Sequence, residues 1–293
     1  MVDSVSSGDM NTDTDLTLTA ADGYPLAAKL FTPKEPARAV AVMAGATGVA
    51  QRYYRRFAQA LTEQGLEVVT LDFRGIGASK PASLAGFDCR YRHWATLDVA
   101  AAVEFALARG PTVVVGHSFG GHAFGQLPDP NRTLGLVTVA TGAAWSGYMP
   151  LSERLKVELL WKVVGPAATR TKGYLPGTLW GGEDLPLGVY RDWDNWAHRP
   201  NYFFDDRSID MQPLFDRVTV PVLGLTAADD LWAPPKSMTV FLSHYRNAPL
   251  TLKTHRPREL GVPSLGHMGH FKAAALPGFV PEVMGFVNER LAA

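Results

Sequence analysis

A serine set between glycines is the first pattern in this chain that could do chemistry. The segment GHSFG (116–120) fits G-x-S-x-G, follows the apolar run TVVVG and precedes a segment typical of a helix start. A sharp strand-to-helix turn needs small neighbours because the backbone passes close to itself there, and it leaves free N–H groups that can stabilise an oxyanion. The pattern predicts Ser118 as a nucleophile; an ordinary serine in a glycine-rich turn is the competing interpretation, because the chain has 28 glycines.

Two acids and two histidines downstream could activate this serine. A serine hydroxyl needs a base to take its proton and an acid to orient that base, and at such a turn the chain order is Ser, acid, His. Asp229 and Asp230 follow the apolar run VPVLGLTA (220–227), at the expected carboxyl edge of a parallel sheet. His267 and His270 lie in a later loop, LGHMGH. The order favours Ser-Asp-His chemistry and leaves both choices open.

Short apolar runs alternate with helical patterns along most of the chain. This alternation indicates βαβ crossovers and an α/β fold with a mainly parallel sheet covered on both faces. The predicted strands are a hairpin over 16–31 that turns at Asp22-Gly23, then 39–45, 66–73, 111–118, 134–141, 220–227 and 249–254, and the predicted helices are 53–64, 94–108, 236–244 and 279–291.

One long segment between predicted strands interrupts this alternation. A structureless loop of that length is implausible in a compact domain, and residues 151–164 have amphipathic helical spacing. We therefore predict a helical cap or lid over 144–217, a core formed by 15–143 and 218–293, and a disordered N-terminus over 1–14. Tryptophans concentrated in the insertion either anchor it to the core or wall a pocket; they are Trp145, Trp161, Trp180, Trp193 and Trp196.

Composition excludes several classes of function. The 28 basic and 28 acidic residues cancel, which gives no basic footprint for nucleic acid. The polar start has no apolar segment typical of a signal peptide, and no apolar run is long enough for a membrane span. The single cysteine, Cys89, excludes an intrachain disulfide, and no His/Cys/Asp cluster has metal-ligand spacing. We expect a cytoplasmic protein without metal or organic cofactor.

Four stretches carry a resemblance to a known family: MAGATG (43–48), DFRGIGAS (72–79), GHSFGG (116–121) and the pair DDLWAP…LGH. The sequence resembles the α/β-hydrolase superfamily, in its serine aminopeptidase (S33)-like and monoglyceride-lipase-like branch, over residues 20–290. It is also similar to a bacterial group of predicted hydrolases through ATGVAQRYY (46–54). The resemblance implies a mostly parallel eight-stranded sheet flanked by helices, with a helical lid insertion.

The resemblance also assigns roles to the candidate residues. The family's elbow serine corresponds to Ser118, its acid to Asp230, which lies four residues before Pro234, and its Gly-His histidine to His267. Asp229 and His270 are the substitutes for the acid and the histidine.

The chain departs from the family where the second oxyanion donor is expected. Many relatives carry His-Gly after the third strand, and Ala44-Gly45 stands there in this chain. Because the donor is a backbone N–H, the change need not remove it. We assign the oxyanion hole to the N–H groups of Ala46 and Phe119, with the Thr47 side chain as a further polar contact.

The predicted function is hydrolysis of a carboxylic ester by a serine hydrolase through an acyl-enzyme. The substrate is expected to be a small molecule with an apolar acyl or alcohol part, an expectation that rests on the tryptophan-rich insertion. An acyltransferase or an S33-type peptidase would use the same three residues, and a non-catalytic small-molecule-binding protein is the alternative from another class. A homodimer is left open, because the sequence does not fix the oligomeric state.

Overall fold

The computed structural model describes residues 12–293 and contains one eight-stranded sheet. The sheet order is β1-β2-β4-β3-β5-β6-β9-β10, while β7 and β8 pair separately. Strand β2 runs antiparallel to β1 and β4, and the other neighbours are parallel, which confirms the predicted mostly parallel sheet. The strands are β1 (Thr12–Thr19), β2 (Pro25–Thr32), β3 (Ala39–Ala44), β4 (Leu66–Leu71), β5 (Thr112–His117), β6 (Gly135–Val139), β7 (Tyr174–Leu175), β8 (Leu185–Pro186), β9 (Val222–Ala227) and β10 (Leu250–His255).

Helices connect the strands. Two of the predicted helices contain a π-helical turn, Trp94–Val99 before α3 and Leu160–Val164 after α5. The helices are α1 (Arg55–Glu63), α2 (Tyr91–His93), α3 (Ala100–Leu107), α4 (Phe119–Phe124), α5 (Leu151–Leu159), α6 (Gly165–Lys172), α7 (Leu187–Ala197), α8 (Gln212–Asp216), α9 (Pro235–Leu242) and α10 (Leu276–Leu291).

The core lies on both faces of the sheet. Every residue of β3, β4, β5, β6 and β9 is buried. Side chains alternate between faces along a strand, so Val40 and Val42 join one hydrophobic cluster whereas Ala41 and Met43 join the other. Continuous apolar runs therefore marked the central strands, as is typical of parallel sheets covered by helices.

The N-terminal hairpin is longer than the sequence predicted. Residues 12–14 belong to β1 and pair with the end of β2, so the predicted disorder is wrong for these three residues. On the side opposite β4, the backbone of β2 offers them hydrogen-bond partners. The rest of the 1–14 segment lies outside the described residues. The turn at Asp22-Gly23 is confirmed, and Gly23 has a φ of 84°, a conformation that glycine adopts without strain.

The segment between β6 and β9 contains α5 to α8 and the β7–β8 ribbon. Its helical content agrees with the pattern in 151–164, while the division of the chain into core and lid stays a prediction. Among the helices of residues 12–293, none has the length and apolar character that crossing a bilayer requires.

Candidate functional site

Ser118 occupies a strained turn between β5 and α4. Its φ is 51° and its ψ is −105°, values that a non-glycine residue adopts only when its surroundings hold it there. The end of β6 supplies that support. The Ser118 N–H donates to the carbonyl of Val139 at 2.8 Å, and the Thr141 hydroxyl donates to the Ser118 carbonyl at 2.7 Å.

The glycines of the motif are required by close packing at this turn. A Cβ on Gly120 would lie 2.1 Å from the carbonyl oxygen of Ala44, and one on Gly116 would lie 2.5 Å from the carbonyl carbon of Gly120. Both distances are far below a normal contact with backbone, which cannot move aside as a flexible side chain can. The pattern GHSFG thus reflects the geometry of the turn.

His267 and Asp230 form a direct pair. Nδ1 of His267 lies 3.0 and 3.2 Å from the two carboxylate oxygens of Asp230, whose side chain is completely buried. Oδ1 of Asp230 also accepts the N–H groups of Trp232 and Ala233, at 2.8 and 2.9 Å. Burial raises the pKa of Asp230, but His267 and these N–H groups together hold that pKa below its ordinary value. The ionised carboxylate can only accept, so the His267 Nδ1 donates.

Asp229 has a different set of partners. Its two carboxylate oxygens accept the N–H groups of Leu265 and Gly266, each at 3.0 Å. It therefore fixes the backbone of the loop that carries His267. Of the two acids that the sequence left open, the structure brings Asp230 to the histidine ring.

Ser118 and His267 line the same cavity, which has a volume of about 230 Å³. Aromatic side chains from different elements form much of its wall, namely Tyr91, Trp180, Trp193 and Trp232. Within residues 12–293 no hydrogen bond joins the Ser118 hydroxyl to the His267 ring. Such contacts are often long before substrate binds, so the shared cavity is the relevant observation.

The second histidine candidate lies elsewhere. His270 is fully buried, does not line this cavity, and its Nε2 lies 3.0 Å from Nδ1 of His255. Nε2 of His255 in turn lies 2.6 Å from Glu282. The structure thus places His267, and not His270, in the cavity that Ser118 lines.

The predicted oxyanion donors have unequal surroundings. Phe119 is the first residue of α4, and its N–H has no hydrogen-bond partner in the described part of the chain. The N–H of Ala46 already donates to the Tyr54 hydroxyl at 2.8 Å. The assignment of Ala46 therefore stays a prediction and meets a competing hydrogen bond. The hydroxyl of Thr47 contacts that of Tyr91 at 2.5 Å at the cavity wall.

A buried relay that the sequence did not reveal joins two loops of the site. His117 contacts the Tyr54 hydroxyl through Nδ1 at 2.8 Å and the carbonyl of His267 through Nε2 at 2.9 Å. Burial lowers the pKa of His117 to about 3, so the ring is neutral near pH 7. The carbonyl can only accept, so Nε2 carries the proton, Nδ1 accepts from Tyr54, and the Tyr54 oxygen accepts from Ala46. The only available signals were His117 inside the motif and the Tyr-Tyr pair of 46–54.

Some tryptophans of the insertion line the pocket, and others anchor the insertion to the core. Trp180 and Trp193 line the cavity, whereas Trp161 and Trp196 are buried in aromatic clusters. His122 also lines the cavity and went unrecognised in the sequence, although its spacing of four residues from Ser118 places both on one helical face. Across residues 12–293, no group of three His, Cys, Asp or Glu side chains is placed to hold a metal ion.

Comparisons with known proteins concern the family and the fold of this chain. The model of a family described as serine aminopeptidase, S33, matches residues 34–179, and no curated protein matches the sequence significantly. A soluble variant of monoglyceride lipase from Saccharomyces cerevisiae, bound to a substrate analogue, is 14% identical with a TM-score of 0.68, over 97% of each chain. Est1E from Butyrivibrio proteoclasticus with bound ferulic acid is 19% identical with a TM-score of 0.62, over 95% of this chain and 100% of that one.

A third solved structure has the same architecture. The esterase domain of a Rhodothermus marinus protein is 17% identical with a TM-score of 0.57, over 94% of this chain and 98% of that one. At such identities the structural likeness concerns the fold alone. Together with the family model it confirms the resemblance that the sequence motifs predicted.

Proposed function

Because the chain belongs to the α/β-hydrolase superfamily, we propose that it is a serine hydrolase that cleaves a carboxylic ester through an acyl-enzyme. The observation that carries the proposal is one cavity that contains a strained serine and a histidine held by a buried carboxylate. A protein that only binds small molecules would need neither the strained serine nor a histidine held by a buried carboxylate. The proposed catalytic residues are Ser118, His267 and Asp230.

In the acylation step Nε2 of His267 takes the hydroxyl proton of Ser118 while Oγ attacks the ester carbonyl. The C–O double bond becomes an oxyanion, and the imidazolium that forms is stabilised by the carboxylate of Asp230. Collapse of the tetrahedral intermediate breaks the bond to the leaving alkoxide. His267 donates its proton to that group, and the alcohol departs.

Water completes the reaction by the same route. His267 deprotonates a water molecule that attacks the acyl carbon, and the second tetrahedral intermediate releases the carboxylic acid while the proton returns to Oγ of Ser118. Without this step the acyl group would pass to another acceptor. Water is therefore the acceptor that distinguishes the proposed hydrolase from an acyltransferase.

The oxyanion is proposed to lie against the N–H of Phe119, which points out of the first turn of α4 and has no partner among the described residues. Ala46 can serve as the second donor only if its N–H leaves the Tyr54 hydroxyl. The N–H of Thr47 has no partner among residues 12–293 and is the alternative second donor. Each such donor contributes on the order of 10²–10³ in kcat.

A small ester with an apolar part fits the cavity. Its lining is mainly apolar and includes Tyr91 and three tryptophans, and its volume, about 230 Å³, suits a short or compact group better than a long chain. Two similar structures support this choice, since Est1E binds ferulic acid and the yeast monoglyceride lipase binds a substrate analogue. We propose a small ester with an apolar part as the substrate of this chain.

Hydrolysis of p-nitrophenyl esters, from acetate to long chains, tests the proposal. Wild type should release p-nitrophenolate, Ser118→Ala and His267→Ala should lose at least about 10³-fold in kcat, and the matched control His270→Gln should lose far less. Labelling by a fluorophosphonate should require Ser118. A Ser118→Ala protein as active as wild type would refute the proposed nucleophile, and wild type that is neither active nor labelled would favour a binding protein.

A further inference from the structure

One histidine in the cavity has an unused hydrogen-bond acceptor. His122 lies in α4, one helical turn after Ser118, and is 3% exposed. Its Nε2 lies 2.9 Å from the carbonyl oxygen of Gly142, which can only accept, so Nε2 carries the proton. Burial lowers the pKa of His122 to about 4, so the ring is neutral near pH 7 and Nδ1 is an acceptor. Within residues 12–293 this Nδ1 is buried without a hydrogen-bond partner.

Unused donors lie at the same cavity. The hydroxyls of Thr47 and Tyr91 are 2.5 Å apart and both residues line the cavity. The Tyr202 hydroxyl lies on the other side of the Tyr91 hydroxyl. Three hydroxyls carry three hydrogens for two contacts, so one hydrogen of the group remains available to a ligand. The indole N–H of Trp180, another lining residue, is also buried without a partner in the described chain.

These unpaired groups are costly in a cavity whose lining is mainly apolar. A buried polar atom without a partner lowers stability, so native proteins satisfy nearly all such atoms with protein, water or ligand. His117 shows the contrast, because both of its ring nitrogens are paired although it is equally buried. The group that complements a free acceptor and a free donor together is a hydroxyl, which offers one hydrogen and two lone pairs.

We propose that the cavity selects esters whose acyl group carries a hydroxyl, which donates to Nδ1 of His122 and accepts from the Tyr91–Thr47 hydroxyl pair. The inference rests on the proposed ester hydrolysis. We place the hydroxyl on the acyl group because that group stays bonded to Ser118 in the acyl-enzyme. His122 lies one helical turn after Ser118 and so faces the same side of α4. The rest of the acyl group would contact the aromatic wall.

Two matched pairs of p-nitrophenyl esters test this selection. One pair is 3-phenylpropanoate and 3-(4-hydroxyphenyl)propanoate, and the other is butyrate and 3-hydroxybutyrate. Because the leaving group is shared, the ratio of kcat/KM within a pair reports the acyl hydroxyl alone. Wild type should prefer the hydroxylated member of at least one pair by about tenfold or more, since sites built around a substrate hydroxyl reject the analogue that lacks it.

Two substitutions separate the nitrogens of His122. His122→Gln places an amide near the position of Nε2, which can keep the bond to Gly142, and removes the acceptor at Nδ1. His122→Asn places a polar atom near Nδ1 and loses the bond to Gly142. The ratio of kcat/KM within a pair should fall to about one in His122→Gln. In His122→Asn part of the preference for the hydroxylated ester should remain. Tyr91→Phe, which removes one hydroxyl of the pair, should also reduce it and serves if His122→Gln does not fold.

The outcomes distinguish this inference from the proposed function. If wild type cleaves every ester through Ser118 with a ratio near one in both pairs, the hydroxyl selection is wrong and the hydrolase stands. A preference that survives in both His122→Gln and Tyr91→Phe would place the hydroxyl elsewhere and also overturn the inference. If no ester is cleaved and the fluorophosphonate does not label Ser118, the proposed function fails and the selection fails with it.

Discussion

His267 and His270 lie three residues apart, and each is linked by hydrogen bonds to a carboxylate. The surroundings of the two histidines differ. His267 pairs with Asp230, is 20% exposed at its side chain and lines the cavity with Ser118. His270 contacts His255, which contacts Glu282, and this chain of three lies away from the cavity. We refer to Asp230 and His267 as the cavity pair, and to Glu282, His255 and His270 as the buried chain. A histidine–carboxylate contact therefore indicates proton-transfer chemistry only where the histidine also lines a cavity together with a nucleophile.

The buried chain has a structural task instead. His255 is the last residue of the edge strand β10, and Glu282 belongs to α10, so their hydrogen bond joins strand to helix. Burial raises the pKa of Glu282, but hydrogen bonds from His255 and Lys253 hold that pKa below its ordinary value. Glu282 is therefore charged, and both of its carboxylate oxygens have partners. Through His255 and His270 it fixes the end of the loop that carries His267.

The largest difference between the two sets should appear in catalysis. Asp230→Asn keeps the size of the side chain and removes its charge, so it should lower kcat by about 10³–10⁴-fold because the imidazolium loses its stabilising partner. Glu282→Gln, the matched change in the buried chain, should stay within about tenfold of wild type. The measurement is kcat and KM on the preferred p-nitrophenyl ester. Equal losses in both variants would show that the distinction between the two sets is false.

For the free energy of unfolding we expect the opposite: substitutions in the buried chain should cost more than substitutions in the cavity pair. His255→Ala leaves the Glu282 carboxylate and the His270 ring without their shared partner, and should lower the free energy of unfolding by about 2–4 kcal/mol. His267→Ala also removes a partner from a buried carboxylate, but Asp230 keeps the N–H groups of Trp232 and Ala233, so the loss should be smaller, about 1–2 kcal/mol. Urea titrations followed by tryptophan fluorescence give both values. A larger loss for His267→Ala would assign the anchoring role to the cavity pair.

The sequence predicted the sheet because its central strands are buried on both faces and so appear as short apolar runs. It also predicted the serine, because the close approach of Gly120 to Ala44 leaves no room for a side chain. Asp229 and Asp230 could not be separated by pattern, since both lie in one turn after β9. Which carboxylate faces the ring depends on the path of that turn, and only the resemblance to the family favoured Asp230.

The oxyanion loop shows where sequence reasoning fails. Ala46 was assigned as a donor from its position after β3, but Tyr54 folds back from the short helical turn that follows and accepts that N–H. His122 was missed for a related reason. Its importance depends on one ring nitrogen that lacks a partner, and hydrogen-bond satisfaction is a property of the folded structure that no residue pattern encodes.

The free energy of unfolding should depend on pH through the buried chain. Burial lowers the pKa of His270 to about 4 from an ordinary value of 6.5, so the unfolded state binds more protons between these values. Stability should therefore fall as the pH falls from about 6.5 towards 4, by up to about 1.4 kcal/mol per pH unit for one such histidine. His270→Gln removes this titration and should make the decline shallower in urea titrations at pH 7, 6 and 5. The pKa values of His117 and His122 are lowered in the same direction, so a shallower decline, and not a flat one, is expected. An unchanged slope would mean that folding does not lower the pKa of His270.

The smallest effect should come from the outer edge of the buried chain. Lys253 is 53% exposed and its ammonium lies 2.9 Å from Glu282, which already accepts from the buried His255. Exposed ion pairs contribute only about 0.2–1 kcal/mol because water and salt screen them, so Lys253→Ala should lower the free energy of unfolding by a few tenths of a kcal/mol. That small loss should disappear in about 1 M NaCl, whereas the loss in His255→Ala should persist there because its groups are buried. A Lys253→Ala loss as large as that of His255→Ala would show that the surface ion pair, and not the buried histidine, holds Glu282 in place.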